Sequence, residues 1–139
     1  MAMWGIALAR RALEESIRYA QERNQHGKQI AGHQMIADKS ATMATEIDAA
    51  RLLTHRAAGM IDRDERCDQE CAMAKWYGTE IAVNATRQAV QIHGGNGVTR
   101  EFIVERLARE AIIGPIPDGT TEIQKLLIAR SLTGVAAFK

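Results

Sequence analysis

Apolar residues along the chain recur every three or four positions, which is the period of an amphipathic α-helix. This pattern predicts five helices, over residues 4–23, 33–62, 68–93, 101–113 and 120–132. Glycine, proline or strongly polar residues separate consecutive stretches. No stretch alternates apolar and polar residues over the length of a strand, so the sequence predicts an all-α fold. Because short loops join the long helices, we expect antiparallel neighbours in an up-and-down four-helix bundle.

Composition agrees with one helical domain that spans residues 1–139. Hydrophobic residues make up 46% of the chain and charged residues 25%, with only two prolines. Lysine and arginine total 18 against 17 acidic residues, for a formal net charge of +1. Both signs are spread along the chain, so no basic stripe is available to neutralise phosphates. Nucleic acid is therefore not an expected partner.

The N-terminal segment has neither the positive leader and cleavage site of a signal peptide nor a membrane-length apolar run. We therefore expect a cytoplasmic protein that does not cross a membrane. The first helix also begins without a capping residue or a lead-in loop. That start predicts that the chain is part of a longer protein.

The cysteine and histidine spacings argue against a metal site. Cys67 and Cys71 lie four residues apart, one helical turn, but no second cysteine or histidine pair follows at a zinc spacing. None of the four histidines forms a metal-binding pair on one helical turn. The two cysteines are therefore predicted to be reduced structural thiols, and no metal is expected.

Asp118 lies in a turn framed by Pro117 and Gly119, where the last helix is about to start. The local pattern alone favours an ordinary helix cap, because a carboxylate or a threonine hydroxyl satisfies free N–H groups there. A glycine cluster at 94–97 follows a helix and not a strand, so it is not a dinucleotide-binding fingerprint. Each feature by itself has a structural explanation.

Taken in order, however, the polar segments closely resemble the C-terminal helical domain of FAD-dependent acyl-CoA dehydrogenases. The segments that carry the resemblance are Arg23–Ile30, His33-Gln34, Ala74-Lys75, Ala89–Gly97, Val104–Leu107 and Asp118–Gln124. They cover nearly the whole chain. Each segment is weakly specific, but their joint occurrence at this spacing is strongly specific.

The resemblance implies a set of FAD contacts. Arg23 matches an arginine that contacts the FAD pyrophosphate, for which a fixed guanidinium is suited. Gln91 to Gly95 match a loop that approaches the cofactor from a neighbouring subunit, where a glycine permits close backbone approach. The full implied set is Arg23, Asn24, Gln25, His33, Gln34, Gln91, Ile92, His93, Gly94, Gly95, Thr120, Thr121 and Glu122. His26 stands where the family mostly has phenylalanine.

Asp118 falls where many family members carry the glutamate that removes the α-proton of an acyl-CoA thioester, and Gly119 would lie against the thioester. The family motif usually reads Tyr-Glu-Gly-Thr, whereas this chain has Pro117-Asp118-Gly119-Thr120. Aspartate is one methylene shorter than glutamate. Three alternatives follow: Asp118 is the base for an unusual substrate, the base lies elsewhere, as in family members that carry it at a position upstream of Met1, or the subunit is catalytically silent.

The family also has an N-terminal helical domain and a middle β-domain, which match nothing in residues 1–139. The resemblance therefore implies the C-terminal domain of an enzyme that desaturates acyl-CoA thioesters in fatty acid metabolism, and the chain alone is expected to be inactive. Homotetramers built around this domain imply homo-oligomers, or hetero-oligomers with related subunits. The alternatives are a silent helical bundle with an assembly role only and a free-standing helical adaptor.

Overall fold

The computed structural model describes residues 1–137, which form five α-helices and one very short hairpin. In chain order the elements are α1 (Ala2–Glu22), β1 (Asn24–Gln25), β2 (Lys28–Gln29), a 3₁₀ helix (Ile30–Gly32), α2 (Gln34–Asp62), α3 (Asp68–His93), a second 3₁₀ helix (Gly94–Val98), α4 (Ile103–Ala111) and α5 (Thr121–Thr133). The helix bounds lie within two residues of those predicted from the sequence. The all-α fold class is confirmed.

Helix α3 is the centre of the fold, because it packs against α1, α2, α4 and α5. Helices α1 and α2 also pack against each other, whereas α5 packs principally against α3. The three long helices thus form the body of the domain, and α5 is attached to it through α3. The closure of a four-helix bundle by α5 stays a prediction.

Small residues allow α1 and α3 to pack very closely. A Cβ on Gly5 would overlap the backbone carbonyl of Gly78, and Ala9 and Ala82 are fully buried in the same core. Larger apolar side chains, such as Met43 from α2, fill the space beside this contact. Since side chains do not hold the two helices apart, α3 is fixed firmly relative to α1.

The hairpin after α1 corrects one prediction. Asn24 pairs with Gln29 and Gln25 pairs with Lys28, in a stretch for which the sequence predicted no strand. The two central residues, His26 and Gly27, have positive φ angles of 52° and 79°. Positive φ at both positions is the signature of a type I′ hairpin turn. Gly27 therefore forms this turn, and α1 ends at Glu22, one residue before the predicted end at Arg23.

Within residues 1–137, the helices are too short or too polar to span a lipid bilayer. The expected cytoplasmic location stays a prediction.

Candidate functional site

The predicted site residues lie around opposite ends of α3, and a pocket lies at each end. His93 ends the helix, and Lys75 lies near its start, beside the loop that carries Asp118. The 18 residues between them correspond to about 27 Å along the helix axis. The predicted FAD contacts around His93 therefore do not meet Asp118 within one chain.

The first pocket, which we call the His93 pocket, has a volume of about 370 Å³. It lies between the end of α1, the hairpin, the start of α2 and the end of α3. Its lining residues are Tyr19, Arg23, Gln25, His26, Ile30, His33, Ile36, Ile92, His93, Gly94 and Gly95. Seven of the thirteen predicted FAD contacts are thus brought together here.

Arg23 reaches this pocket because it is the first extended residue after α1. Its backbone N–H donates to the Tyr19 carbonyl at 2.9 Å, and its own carbonyl accepts from the Ile30 N–H at 2.8 Å. Its side chain is exposed. Within the described part of the chain, the guanidinium makes no ion pair. Its backbone is therefore fixed while its charge is available to an anion.

His93 forms the floor of the pocket as a neutral ring. It is buried, and burial lowers the pKa of its imidazole below the ordinary value. The Nδ1 atom lies 2.8 Å from the Ala89 carbonyl, which assigns the proton of the neutral ring to Nδ1. The ring stacks on Tyr19 with centroids 4.2 Å apart. The floor of the pocket is therefore aromatic and carries no charge at neutral pH.

Tyr19 and Asn96 are two contributors that the sequence analysis missed. The Tyr19 hydroxyl donates to the His93 carbonyl at 3.4 Å, and the Asn96 amide donates to the Tyr19 hydroxyl at 3.0 Å. These bonds connect α1 to the glycine turn 77 residues later. The helical period placed Tyr19 on α1, but no sequence signal indicates this partner.

Gly94 and Gly95 leave one side of the pocket open. Gly94 has φ 59° and ψ −133°, a conformation that L residues rarely adopt. A Cβ added at either glycine would meet no atom within 4 Å, so it would project into open space. The backbone of the turn is therefore accessible from this side.

Three predicted FAD contacts, Asn24, Gln34 and Gln91, lie near this pocket but do not line it. All three are exposed. The Asn24 side-chain amide donates to the Glu22 carbonyl at 3.3 Å, and Gln34 is the first residue of α2. Their predicted contacts with FAD stay a prediction.

The second pocket, which we call the Asp118 pocket, has a volume of about 910 Å³ and is the larger of the two. It lies between the start of α3, the end of α2 and α5. Its lining residues are Met60, Arg66, Asp68, Gln69, Glu70, Cys71, Ala72, Lys75, Asp118, Gln124, Leu127, Arg130 and Ser131. It combines three carboxylates, from Asp68, Glu70 and Asp118, with three cationic side chains, from Arg66, Lys75 and Arg130.

Lys75 fixes the loop that carries Asp118. Its Nζ donates to the carbonyls of Pro115 at 3.0 Å and Gly119 at 2.7 Å. The side chain of Gln124 adds bonds to the carbonyls of Asp118 at 3.0 Å and Gly119 at 3.2 Å. Both Lys75 and Gln124 are buried. The loop backbone is thus clamped on both sides, a role that the sequence analysis did not assign to either residue.

Two opposing influences act on the pKa of Lys75. Burial lowers the pKa of its ammonium group, while the negative charges of Asp118, Glu80 and Glu122 act in the opposite direction. The bonds to two carbonyl oxygens use donors that the protonated form supplies. Lys75 therefore lies in the wall of the pocket with its donors directed at the backbone of the loop.

Asp118 itself is held in a left-handed conformation with φ 57°, next to Gly119 with φ 86°. It is not the cap of α5. The N-cap is Thr120, whose hydroxyl accepts from the Ile123 N–H at 3.5 Å. Within residues 1–137, the Asp118 carboxylate makes no hydrogen bond or ion pair. The simpler interpretation of Asp118 as a helix cap is therefore wrong, and its carboxylate is free to face the pocket.

The remaining predicted FAD contacts at the start of α5 differ from one another. Thr121 is buried, and its hydroxyl donates to Glu80 on α3 at 2.6 Å. Glu122 is exposed, and hydrogen bonds from its own N–H and from Thr120 lower the pKa of its carboxyl group. Within this chain Thr121 anchors α5, whereas Glu122 is open to solvent. No cluster of three or more potential metal ligands is found among the described residues.

Comparison with known proteins identifies relatives over nearly the whole chain. Residues 1–133 match the family model described as acyl-CoA dehydrogenase, C-terminal domain. The chain is 42% identical over 132 residues to the caffeyl-CoA reductase-Etf complex subunit CarC of Acetobacterium woodii, covering 95% of this chain and 35% of that protein. It is 44% identical over 132 residues to the probable acyl-CoA dehydrogenase YngJ of Bacillus subtilis, with the same coverage.

Solved structures agree with these relatives. Butyryl-CoA dehydrogenase from Megasphaera elsdenii matches with a TM-score of 0.92 and 34% identity, over 94% of this chain and 34% of that one. A glutaryl-CoA dehydrogenase from Mycobacterium smegmatis in complex with FADH2 matches with a TM-score of 0.94 and 28% identity, over 99% and 36% of the two chains. The chain thus spans about a third of the length of the proteins that it matches.

Proposed function

Since the chain belongs to the acyl-CoA dehydrogenase family as its C-terminal domain, we propose that it supplies a proton-abstracting base and part of the FAD site to such an enzyme. The reaction is α,β-desaturation of an acyl-CoA thioester. Asp118 is the base, and Gly119 lies against the thioester. The Asp118 loop carries this proposal, because its carboxylate has no hydrogen-bond or ion-pair partner among residues 1–137 and its backbone is clamped on both sides.

The clamp explains how a short side chain is positioned. Lys75 and Gln124 bond to backbone carbonyls of the loop and leave the Asp118 carboxylate free. The chain can therefore set the position of the carboxylate through the loop, and a small shift in the loop offsets the methylene that aspartate lacks. A substrate carbonyl polarised nearby makes the α-proton acidic enough for a carboxylate to accept.

The residues present fit a dinucleotide cofactor. The His93 pocket offers the Arg23 guanidinium for a diphosphate, an uncharged aromatic floor and a glycine turn open to close approach. Gln25, His33 and Ile92 line the same pocket, and Asn24, Gln34 and Gln91 would contact the cofactor from beside it. Thr120, Thr121 and Glu122 would contact a cofactor at the start of α5. When bound, FAD would accept the hydride that leaves the substrate β-carbon. One member of the family has been solved with FADH2.

The separation of the two pockets supports assembly. Since about 27 Å of α3 lies between them, the His93 pocket is better placed to complete the cofactor site of a neighbouring subunit. Large apolar side chains are also exposed, among them Met35 at 75%, Leu132 at 69% and Leu52 at 64%. Such surfaces are normally covered by other domains or subunits. We therefore propose a homo-oligomer or a hetero-oligomer with related subunits.

The names of the relatives do not identify one substrate or one partner for this chain. Their names include a caffeyl-CoA reductase and a (2S)-methylsuccinyl-CoA dehydrogenase, which differ in both substrate and direction of reaction. One relative is named as a subunit of a complex with Etf. The shared chemistry is an acyl-CoA thioester, and our proposal is limited to that class.

Replacement of the carboxylate tests the proposal. In the assembled enzyme, Asp118→Asn should lower kcat for acyl-CoA oxidation by about 10²- to 10⁴-fold with flavin content unchanged. Asparagine tolerates the left-handed backbone that Asp118 adopts, so the loop should stay intact. Asp64→Asn is a matched control, because Asp64 also has a positive φ of 54° and lies in an exposed turn.

A silent subunit with an assembly role is the second candidate, and the shorter aspartate side chain favours it. If Asp118→Asn leaves the rate of desaturation unchanged while flavin remains bound, Asp118 is not the base. An enzyme that assembles with flavin but shows no desaturation of any acyl-CoA would support the silent role.

A further inference from the structure

Both cysteines of the chain lie at the first turn of α3, where the proposed function assigns them no role. Cys67 immediately precedes the helix, and Cys71 lies one turn into it. Both thiols are free, and their Sγ atoms are 3.6 Å apart. Cys71 is exposed and lines the Asp118 pocket. The described residues offer no third ligand for a metal at this position, so the pair is a candidate for thiol chemistry.

We propose that Cys67 and Cys71 form a redox-sensitive dithiol that low-molecular-weight disulfides convert reversibly into an intramolecular disulfide. One cysteine thiolate attacks the small disulfide, forms a mixed disulfide and releases one small thiol. The second cysteine then attacks the protein sulfur of that mixed disulfide and releases the other small thiol. The two cysteines are oxidised, the small disulfide is reduced to two thiols, and their two protons pass to the released thiols through solvent.

The geometry allows this bond with a limited local movement. The sulfur atoms must approach from 3.6 Å to about 2.0 Å. Side chains four apart on a helix have Cβ atoms about 5–6 Å apart, somewhat more than a disulfide accepts. Cys67 can move toward Cys71, because its φ of −138° and ψ of 28° place it outside the helix. The four residues before it, 63–66, are all exposed.

The same geometry makes the disulfide reversible. A bond that shifts the start of a helix carries strain, and it lies at the surface where reductants have access. Strained or exposed disulfides have more oxidising potentials than buried structural ones. We therefore expect a small thiol to restore the reduced pair under mild conditions.

Electrostatics around the pair adds a pH dependence. Burial, the contact with Cys67 and the charges of Asp68 and Glu70 raise the pKa of the Cys71 thiol. Thiol exchange proceeds through the thiolate. Arg66 faces this turn as well, but it is paired with Asp68 at 2.7 Å. Disulfide formation should therefore accelerate as the pH rises above neutrality.

Peptide mass mapping tests the proposal directly. Trypsin cleaves after Arg66 and Lys75, so both cysteines fall in the single peptide 67–75, whatever other cysteines a longer protein contains. The native protein is incubated with oxidised glutathione, quenched with an alkylating reagent and digested. We expect the peptide to lose the mass of two hydrogen atoms, to carry no glutathione and no alkyl group, and to return to two alkylated thiols after reduction.

Two variants separate a coupled pair from independent thiols. Cys71→Ser should retain one glutathione on Cys67, and Cys67→Ser should retain one on Cys71, because neither variant has the second thiol that resolves the mixed disulfide. A wild-type peptide that accumulates glutathione on both cysteines would overturn the proposal. So would a wild-type peptide that stays fully alkylatable. Neither outcome depends on whether Asp118 is the base.

Discussion

The His93 pocket and the Asp118 pocket lie on the same helix but are held together by different contacts. In the His93 pocket, a stack of aromatic rings and a hairpin fix a neutral floor beside an exposed arginine. In the Asp118 pocket, a buried lysine and a buried glutamine hold a strained loop by its carbonyls. The contacts in the His93 pocket hold an aromatic surface in place, whereas those in the Asp118 pocket hold the loop that carries one carboxylate.

This difference indicates a division of roles. In the His93 pocket, Arg23 is exposed and offers an anion-binding group. The turn at Gly94 and Gly95 leaves space for a ligand to approach the backbone. In the Asp118 pocket, Lys75 is buried and donates its hydrogen bonds to backbone carbonyls of the protein. One end of α3 is therefore suited to binding, and the other is suited to placing a reactive group.

Among substitutions that leave Asp118 itself in place, removal of the lysine clamp should give the largest effect. In the assembled enzyme, Lys75→Met removes the donor to the Pro115 carbonyl and leaves the Gly119 carbonyl with the longer bond from Gln124 at 3.2 Å, so the loop should shift. A displacement of the base by about 1 Å corresponds to a loss in kcat on the order of a hundredfold. The expected signature is a fall in kcat at nearly constant KM, with flavin content unchanged, measured by steady-state kinetics.

Lys125→Met is the matched control, because Lys125 is exposed on α5 and makes only a cation–π contact with Trp76 at 4.9 Å. It should leave kcat within about twofold of the wild-type value, since surface substitutions away from special features have small effects. Loss of flavin in Lys75→Met would contradict the separation of the two pockets. Equal kcat in the two variants would contradict the clamp.

Loss of the free cation in the other pocket should give a smaller effect of a different kind. Arg23→Gln removes a charge-assisted contact worth about 1.5–3 kcal/mol, which corresponds to a 10- to 100-fold weaker flavin affinity. The kcat of the flavin-saturated enzyme should stay unchanged. Fluorescence titration of the flavin-free assembled enzyme measures the affinity, and Arg51→Gln on the exposed face of α2 is the control.

If Arg23→Gln lowers kcat at saturating flavin, the two pockets are not functionally separate. If it leaves the affinity unchanged, the His93 pocket does not bind the cofactor diphosphate. Together with the lysine variant, this result distinguishes binding from base positioning.

The helices were predictable from the sequence because their apolar period is local information. The spacing of apolar residues alone predicts the bounds of α3, Asp68–His93, without knowledge of the helices that pack against it. The hairpin was missed because Asn24, Gln25, Lys28 and Gln29 are polar and the ladder is two residues long, too short for an alternating pattern. Positive φ at His26 was not foreseeable, since only Gly27 signalled a turn.

The site was only partly predictable, because its key contacts join residues that are distant in sequence. Lys75 lies 44 residues from Gly119, and Tyr19 lies 77 residues from Asn96. A lysine on a helix is usually solvent-exposed, so the pattern gives no signal that Lys75 is buried. The resemblance to a family identified Asp118 and Arg23, but the separation of their pockets emerges only from the fold.

The smallest expected effect concerns the pH dependence of stability in the His93 pocket. Because burial lowers the pKa of His93 below its ordinary value of 6.5, the unfolded chain binds a proton just below pH 6.5 that the folded chain does not. The stability of the folded chain therefore falls as the pH falls through about 6.5, and this decline stops below the folded pKa. Urea unfolding from about pH 7.5 to 5.5 measures this effect, and the free energy of unfolding should fall less steeply in His93→Gln than in the wild type. His55→Gln, on the exposed face of α2, is the control and should match the wild type. Equal slopes in all three proteins would mean that the floor of this pocket is already charged or solvated, which would weaken the contrast between a neutral binding surface and a charged catalytic loop.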